Sequence, residues 1–200
     1  MAAQLTTAVS DETKPISPAK FAHAVLRTTR FKEMTDWYRT VLGAKVMYEN
    51  KFLAFMTYDD EHHRIAIAAF PGIAERQPHS AGLDHLAYTY ASIDDLVATY
   101  ERLKAAGILP VVTINHGITT SMYYRDPDGN KVELQIDNYD SAEAMHEFFR
   151  TDAFAKNPIG VDFDPDDLAR RYHAGETKAE LTKYDTGKEF NRSALVRLGD

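Results

Sequence analysis

Two histidines and one glutamate stand at positions that could form one metal site. Glu133 lies on the polar face of residues 131–136, where apolar and polar residues alternate as in a half-buried strand. A carboxylate in mid-strand is costly unless it is exposed, paired or bound to a metal. His23 and His85 occupy equivalent places in a repeated pattern. Because two imidazoles and one carboxylate leave coordination positions open, these residues predict a facial triad of the kind that suits non-heme Fe(II).

The segments that must position these side chains occur twice along the chain. Each copy is a strand, a helix and three further strands, with one of the two histidines in its first strand. The first copy has a helix that ends before Gly43 and four predicted strands, at 21–27, 44–48, 51–58 and 62–68. The second copy has a helix that begins at Ser92 and four predicted strands, at 85–90, 111–114, 119–125 and 131–136.

Such a duplication predicts the fold class. We expect an α+β fold in which two βαβββ modules, residues 19–72 and 82–138, pair into one domain over residues 19–138. If the two modules pair face to face within the chain, His23 and His85 approach each other, and Glu133 lies beside His85.

Residues 1–18 and 139–200 lie outside the repeat. The first segment is polar and ends in two prolines, which indicates a flexible N-terminal arm. The second segment contains helix N-terminus signals at Ser141 and at Asp164-Pro165. We therefore expect a helical C-terminal extension that covers the core or a partner subunit.

Composition excludes several classes of function. The net charge of −7 and the lack of a basic stripe argue against a nucleic-acid surface. No apolar run approaches the roughly 20 residues of a membrane helix, and the first residues lack a signal-peptide pattern. The chain has no cysteine, which rules out disulfides, thiolate ligands and cysteine nucleophiles and fits a cytoplasmic protein.

Several motifs resemble the vicinal oxygen chelate superfamily, which includes glyoxalase I, bleomycin-resistance proteins and type I extradiol ring-cleavage dioxygenases. The resemblance covers residues 20–138 and includes both histidines and the ending Tyr123-x-x-Asp-Pro-Asp-Gly-x-x-x-Glu133. The segment His62-His63-Arg64-Ile65-Ala66 and the segment Asp84-His85-Leu86 are similar to sequences of the extradiol group. The chain is therefore most similar to a one-domain extradiol dioxygenase.

This resemblance implies a reaction and a set of site residues. His23, His85 and Glu133 would bind Fe(II), with Mn(II) as the alternative metal. His63 would be the acid–base group, Tyr123 would hydrogen-bond a substrate oxygen, and His116, which is closer to Tyr123 than the corresponding family histidine, would assist. The implied reactants are O2 and a small aromatic diol, such as 2,3-dihydroxybiphenyl, from the breakdown of aromatic hydrocarbons. The resemblance also implies a homo-oligomer.

Two other functions remain open at this point. A fosfomycin-resistance-type transferase would use the same triad without needing His63 and Tyr123. A metal-free binding protein of the bleomycin-resistance type would not need the triad. Glyoxalase chemistry is disfavoured, because the last strand of the first repeat, residues 65–68, contains no side chain that could be a fourth ligand.

Overall fold

The computed structural model describes residues 15–77, 80–185 and 187. The first repeat forms a mixed sheet with the strand order β1-β4-β3-β2, covered by one helix. Its elements are β1 (Ala24–Arg27), α1 (Phe31–Leu42), β2 (Lys45–Glu49), β3 (Leu53–Thr57) and β4 (Ile65–Ala68). Gly43 ends α1 in the left-handed conformation, as the sequence predicts.

The second repeat forms a second sheet with the equivalent order β5-β8-β7-β6, to which one more strand, β9, is added. Its elements are β5 (His85–Thr89), α2 (Ile93–Ala105), β6 (Val112–Asn115), β7 (Thr119–Arg125) and β8 (Lys131–Asp137). In both sheets the first and last strands of the repeat are parallel, and the other pairs within the repeat are antiparallel. The predicted α+β fold with a repeated element order is confirmed.

The C-terminal extension is helical, with one short strand. Its elements are α3 (Ala142–Phe148), α4 (Asp152–Lys156), β9 (Val161–Asp162), α5 (Pro165–His173) and α6 (Lys178–Leu181). Ser141 and Asp164 cap their helices with side-chain oxygens, as expected. Most of the expected N-terminal arm lies outside the described residues, and residues 15–18 form neither helix nor strand. None of the described helices has the length and apolar character needed to cross a bilayer.

Two strands begin three residues later than the sequence predicts, and both changes move candidate site residues out of a strand. β1 begins at Ala24 rather than at residue 21, so His23 lies immediately before the strand. β4 begins at Ile65 rather than at residue 62, so His62 and His63 lie in the turn that precedes it. Residues 21–23 and 62–64 have sequences compatible with a strand, but the pairing between β1 and β4 begins only at Ala24 and Ile65.

One hydrophobic core joins the two repeats. It contains Met34 and Tyr38 of α1, Leu96 and Tyr100 of α2, and the inward-facing residues of both sheets. Tyr38 Oη donates to Asp126 Oδ2 (3.2 Å), and the Arg102 guanidinium of α2 donates to the carbonyl oxygen of Val41 (3.1 Å). The two repeats therefore contact each other through their helix-covered sides.

Candidate metal and catalytic site

Glu133 lies at the centre of β8 on the face opposite the core. Its neighbours Val132 and Leu134 are fully buried in the common core, so the alternation of a strand directs Glu133 to the other side of the sheet. That side is also shielded, because Glu133 is only 4% exposed. Tyr123 of β7 is its partner across the antiparallel ladder. Register alone therefore places the carboxylate beside the phenol ring.

His85 completes a polar contact with Glu133. Its Nε2 lies 2.9 Å from Glu133 Oε2, and its ring packs edge-on against Tyr123 at 5.4 Å between centroids. The hydrogen bond to Glu133 raises the pKa of His85 above its ordinary value, against the opposing effect of burial. Burial would raise the pKa of Glu133, but its polar neighbours, the hydrogen-bonding His85 above all, outweigh that effect and lower the pKa. Glu133 is therefore an ionised carboxylate at neutral pH.

Asp84 and Lys131 hold the other side of the His85 ring. Asp84 Oδ2 is 2.6 Å from His85 Nδ1, and Asp84 Oδ1 accepts from Lys131 Nζ at 2.8 Å. Lys131 is only 5% exposed, and its strand position is directly beside His85 in the parallel ladder. This contact leaves Nε2 of His85 for Glu133 or a metal. Neither role is predicted from the sequence, in which the only signals are an acid directly before His85 and a lysine two residues before Glu133.

His116 reaches this group from the loop between β6 and β7. Its Nε2 is 2.9 Å from Tyr123 Oη and 3.9 Å from Glu133 Oε1. Its Nδ1 donates to the carbonyl oxygen of Ile159 in the C-terminal extension. Burial lowers the pKa of His116, and burial also raises the pKa of Tyr123, so both groups are neutral at neutral pH. We call His85, His116, Tyr123 and Glu133 the second half-site.

The other candidate residues form a separate group on the first sheet. The His63 ring lies between His23, at 4.3 Å between centroids, and Phe55, at 4.5 Å. Nδ1 of His62 lies 2.6 Å from Nδ1 of His63. Burial lowers the pKa of His63, and the nearby His23 and His62 lower it further. We call His23, His62, His63 and Phe55 the first half-site.

The expected approach of His23 to His85 within one chain is not found. Among residues 15–77, 80–185 and 187, no group of three or more His, Asp or Glu side chains is placed to hold a metal ion. The reason is the common core: both repeats bury the helix-covered faces of their sheets in it, so each half-site lies on a face that points away from that core. The structure thus gathers His85, Glu133, Tyr123 and His116, and leaves His23 and His63 together elsewhere.

Comparison with known proteins identifies the family. A sequence model of the Glyoxalase/Bleomycin resistance protein/Dioxygenase superfamily matches residues 20–134. The chain belongs to this superfamily. The match reaches into both repeats and ends one residue after Glu133, so the C-terminal extension, residues 139–200, lies outside it.

Two relatives within the superfamily are similar over most of their length. Biphenyl-2,3-diol 1,2-dioxygenase 2 of Rhodococcus globerulus is 48% identical over 166 residues, which are 82% of this chain and 87% of that protein. Biphenyl-2,3-diol 1,2-dioxygenase 3 of the same organism is 46% identical over 165 residues, with the same coverage. These names agree with the predicted resemblance to extradiol dioxygenases.

A solved structure supports the fold. The glyoxylase/bleomycin resistance protein/dioxygenase domain from Frankia sp. EAN1pec has a TM-score of 0.52 and 21% identity, and it covers 65% of this chain and 99% of that domain. At this identity the likeness shows the fold alone.

The dioxygenase relatives and the superfamily imply a metal cofactor. The second half-site has a suitable donor set, because an imidazole nitrogen and an ionised carboxylate oxygen converge within 2.9 Å of each other. The outer ring nitrogen of His85 is already bonded to a carboxylate, as metal-binding histidines commonly are. The chemistry of the second half-site therefore fits two ligands of a divalent metal, and a third must come from elsewhere.

Proposed function

We propose that this chain is an Fe(II)-dependent extradiol dioxygenase that cleaves the ring of a 2,3-dihydroxybiphenyl-like catechol with O2. The observation that carries the proposal is the second half-site, in which a metal-type His85–Glu133 pair adjoins Tyr123 and His116. The names of the two Rhodococcus globerulus relatives supply the substrate class. We assign the reaction to residues 19–138, in modules 19–72 and 82–138, and treat residues 139–200 as an extension.

His23, His85 and Glu133 are the proposed ligands, with Mn(II) as the alternative ion. When bound, the metal would supply Lewis-acid activation and a template for the two substrate oxygens. The chain supplies proton handling. His63 has a lowered pKa and is therefore a free base at neutral pH, able to take a proton from a catechol hydroxyl and to return it later.

Tyr123 and His116 would orient the substrate. Nδ1 of His116 donates to the Ile159 carbonyl, so Nε2 is left as an acceptor for the Tyr123 hydroxyl proton. With its proton directed at His116, the Tyr123 oxygen presents lone pairs that can accept from a substrate hydroxyl.

The third ligand, His23, would come from a second copy of the chain. The two half-sites are complementary. The first contains the imidazoles of His23 and His63 but no carboxylate ligand, and the second contains the Glu133 carboxylate but neither of those histidines. In a twofold dimer, contact between the first half-site of one copy and the second half-site of the other creates two equal, complete sites. Exposed apolar side chains near His23 support an interface there: Phe21 is 64% exposed and Val25 53%.

The reaction is tested by anaerobic loading with Fe(II), addition of 2,3-dihydroxybiphenyl, and admission of air while O2 and visible absorbance are followed. We expect a yellow ring-cleavage product that forms in step with O2 consumption. Bound iron with no O2 uptake across a panel of catechols would overturn the dioxygenase proposal and favour a transferase on the same ligands. Failure to bind any divalent metal would favour a binding protein.

The shared site is tested by mixing inactive variants. When His23→Ala and Glu133→Ala chains are unfolded together and refolded, random pairing gives about a quarter of the wild-type sites, because one site of each mixed dimer is intact. The matched control mixes His85→Ala with Glu133→Ala; these residues must come from the same chain, so no activity returns. Sharing of the site between two chains is excluded if both mixtures recover the same activity. It is also excluded if the first mixture recovers no activity although mixed dimers are present.

A further inference from the structure

The C-terminal extension contacts the loop that carries His116 at several points. The Ile159 carbonyl accepts from His116 Nδ1, and the side chain of Asn115 donates to the carbonyl oxygen of Thr182 (2.8 Å). Strand β9 pairs with the end of β6, where Asn115 is in register with Val161. Gly117 faces Phe148 so closely that a Cβ there would be 2.2 Å from the phenyl ring. The loop is therefore enclosed by the extension on more than one side.

The contact with Ile159 decides which nitrogen of His116 carries the proton. A carbonyl oxygen can only accept, so Nδ1 is the protonated nitrogen of the neutral ring and Nε2 is the acceptor. Nε2 is the atom that meets Tyr123 Oη at 2.9 Å. If the ring lost this contact, it could rotate or change tautomer, and Nε2–H would then compete with the Tyr123 proton.

The Ile159 carbonyl is fixed by a short turn whose first and last residues, Asn157 and Gly160, are buried. Asn157, which is 1% exposed, donates from its side-chain nitrogen to the Gly160 carbonyl (2.7 Å) and accepts from the Gly160 amide (2.9 Å). Tyr184 Oη donates to the Asn157 carbonyl (2.9 Å). Gly160 has a φ of 112°, and a Cβ on it would be 2.3 Å from the Asn115 carbonyl oxygen. Only glycine allows the turn to approach the His116 loop this closely.

We propose that the extension is part of the catalytic apparatus, with Ile159 as a positioning residue that acts through His116. The backbone carbonyl of Ile159 selects the tautomer and the ring orientation with which His116 accepts the Tyr123 proton. The inference rests on the proposed dioxygenase function for its kinetic consequence, whereas the tautomer is independent of any reaction. The extension begins after the superfamily match, which ends at residue 134.

The test compares two glycines of the extension. Gly160→Ala places a methyl group against Asn115 and displaces the neighbouring Ile159 carbonyl. Gly175→Ala is the matched control, because Gly175 also has a positive φ, of 89°, but nothing lies within 4 Å of its Cβ position. Both substitutions put a side chain on a residue with positive φ, and we expect only the first to move the carbonyl.

The first readout is the ring 15N NMR signal of His116 in metal-free protein, assigned by its loss in His116→Ala. We expect a protonated Nδ1 in wild type and in Gly175→Ala, and a mixture of tautomers in Gly160→Ala. If the signals of Gly160→Ala match those of wild type, the inference is overturned, whether or not the protein turns over catechols.

The second readout is kinetic. We expect Gly160→Ala to lower kcat by about 10- to 100-fold, in the range seen when groups that orient a site residue are lost. It should lower kcat no further when His116 is already alanine. If instead the fold losses in kcat of Gly160→Ala and His116→Ala multiply in the double variant, the two act independently. That result would show a general structural effect of Gly160→Ala and would overturn the inference. Should Gly160→Ala not fold, Asn157→Ala removes the bonds to Gly160 without adding a clash and is expected to act in the same direction.

Discussion

The histidines of the first half-site lie on an irregular segment and a turn, whereas the second half-site lies on three paired strands and one enclosed loop. Glu133 and Tyr123 are 4% and 2% exposed, and each has hydrogen-bonding partners on a neighbouring element. His23 and His62 are exposed, and the three histidine rings contact one another, but none of the three residues lies in a strand. The second half-site is therefore arranged before any ligand arrives.

The difference shows where rigidity is needed. An ionised, buried carboxylate must be surrounded by donors, and those donors also fix its direction. Imidazoles near the surface need no such set of donors, because water can solvate them, so their final positions can be set by a metal or by a second chain. Five substitutions test this contrast.

The largest effect is expected from Glu133→Ala. Removal of the central carboxylate should abolish stable iron binding and lower turnover by more than about 100-fold, because even partners that only orient a ligand contribute about 10- to 100-fold. Metal per chain after desalting and O2 uptake are the measurements. Glu101→Ala, on the exposed side of α2, is the control, and unchanged iron stoichiometry in Glu133→Ala would remove this residue from the ligand set.

His63→Ala should separate chemistry from metal binding. We expect normal iron content and a kcat lower by about 100- to 10,000-fold, the usual contribution of a general acid–base group. Metal analysis and steady-state kinetics on the same preparation give both quantities. His146→Ala on the exposed side of α3 should behave as wild type; near wild-type turnover of His63→Ala would refute its assigned role.

Asp84→Asn should weaken metal affinity without unfolding the protein. The amide cannot accept from both His85 and Lys131, so the His85 ring loses a charged partner. We expect iron affinity to fall by about 10- to 100-fold, measured by competition with a fluorescent chelator. Asp60→Asn, in an exposed turn, is the control. An unchanged affinity would mean that Asp84 serves only to pair with Lys131.

The smallest effects concern stability of the metal-free protein. Ser121 is fully buried; its hydroxyl donates to Thr119 Oγ1 (3.3 Å) and helps to lower the pKa of Glu133, so Ser121→Ala should lower the free energy of unfolding by about 1–3 kcal/mol. His62→Ala, in the exposed part of the first half-site, should change it by no more than about 0.5 kcal/mol. Urea unfolding measures both. If Ser121→Ala and His62→Ala lowered the free energy of unfolding equally, the proposed difference in rigidity between the half-sites would be contradicted.

Much of the second half-site could be predicted from the sequence. The alternation around Glu133 assigned it to the face opposite Val132 and Leu134, since side chains of a strand have a period of two. The turn chemistry after Tyr123 fixed the antiparallel pairing that brings the phenol beside the carboxylate. His116 was a candidate only by resemblance, and the structure places it in contact with Tyr123.

Other features depend on contacts between segments that are distant in sequence. His62 and His63 have the composition of a strand, but the start of β4 is set by where β1 pairs with it. The contact between Asp84 and Lys131 requires the parallel register of β5 and β8, which local composition does not encode. The Ile159 carbonyl is a backbone group, so no side-chain pattern could indicate its role.

The sequence by itself determined the two repeats, their order of elements, the face of each strand and the residue types available for a metal site, because these follow from local periodicity and side-chain chemistry. Only the tertiary structure decided which of those residues meet. The repeats share one core through their helix-covered sides, and this packing leaves His23 and Glu133 on surfaces that point away from it. The free energy of that common core depends on side chains from both repeats together. Which face of each sheet packs in the core therefore could not be obtained from the sequence of either repeat alone.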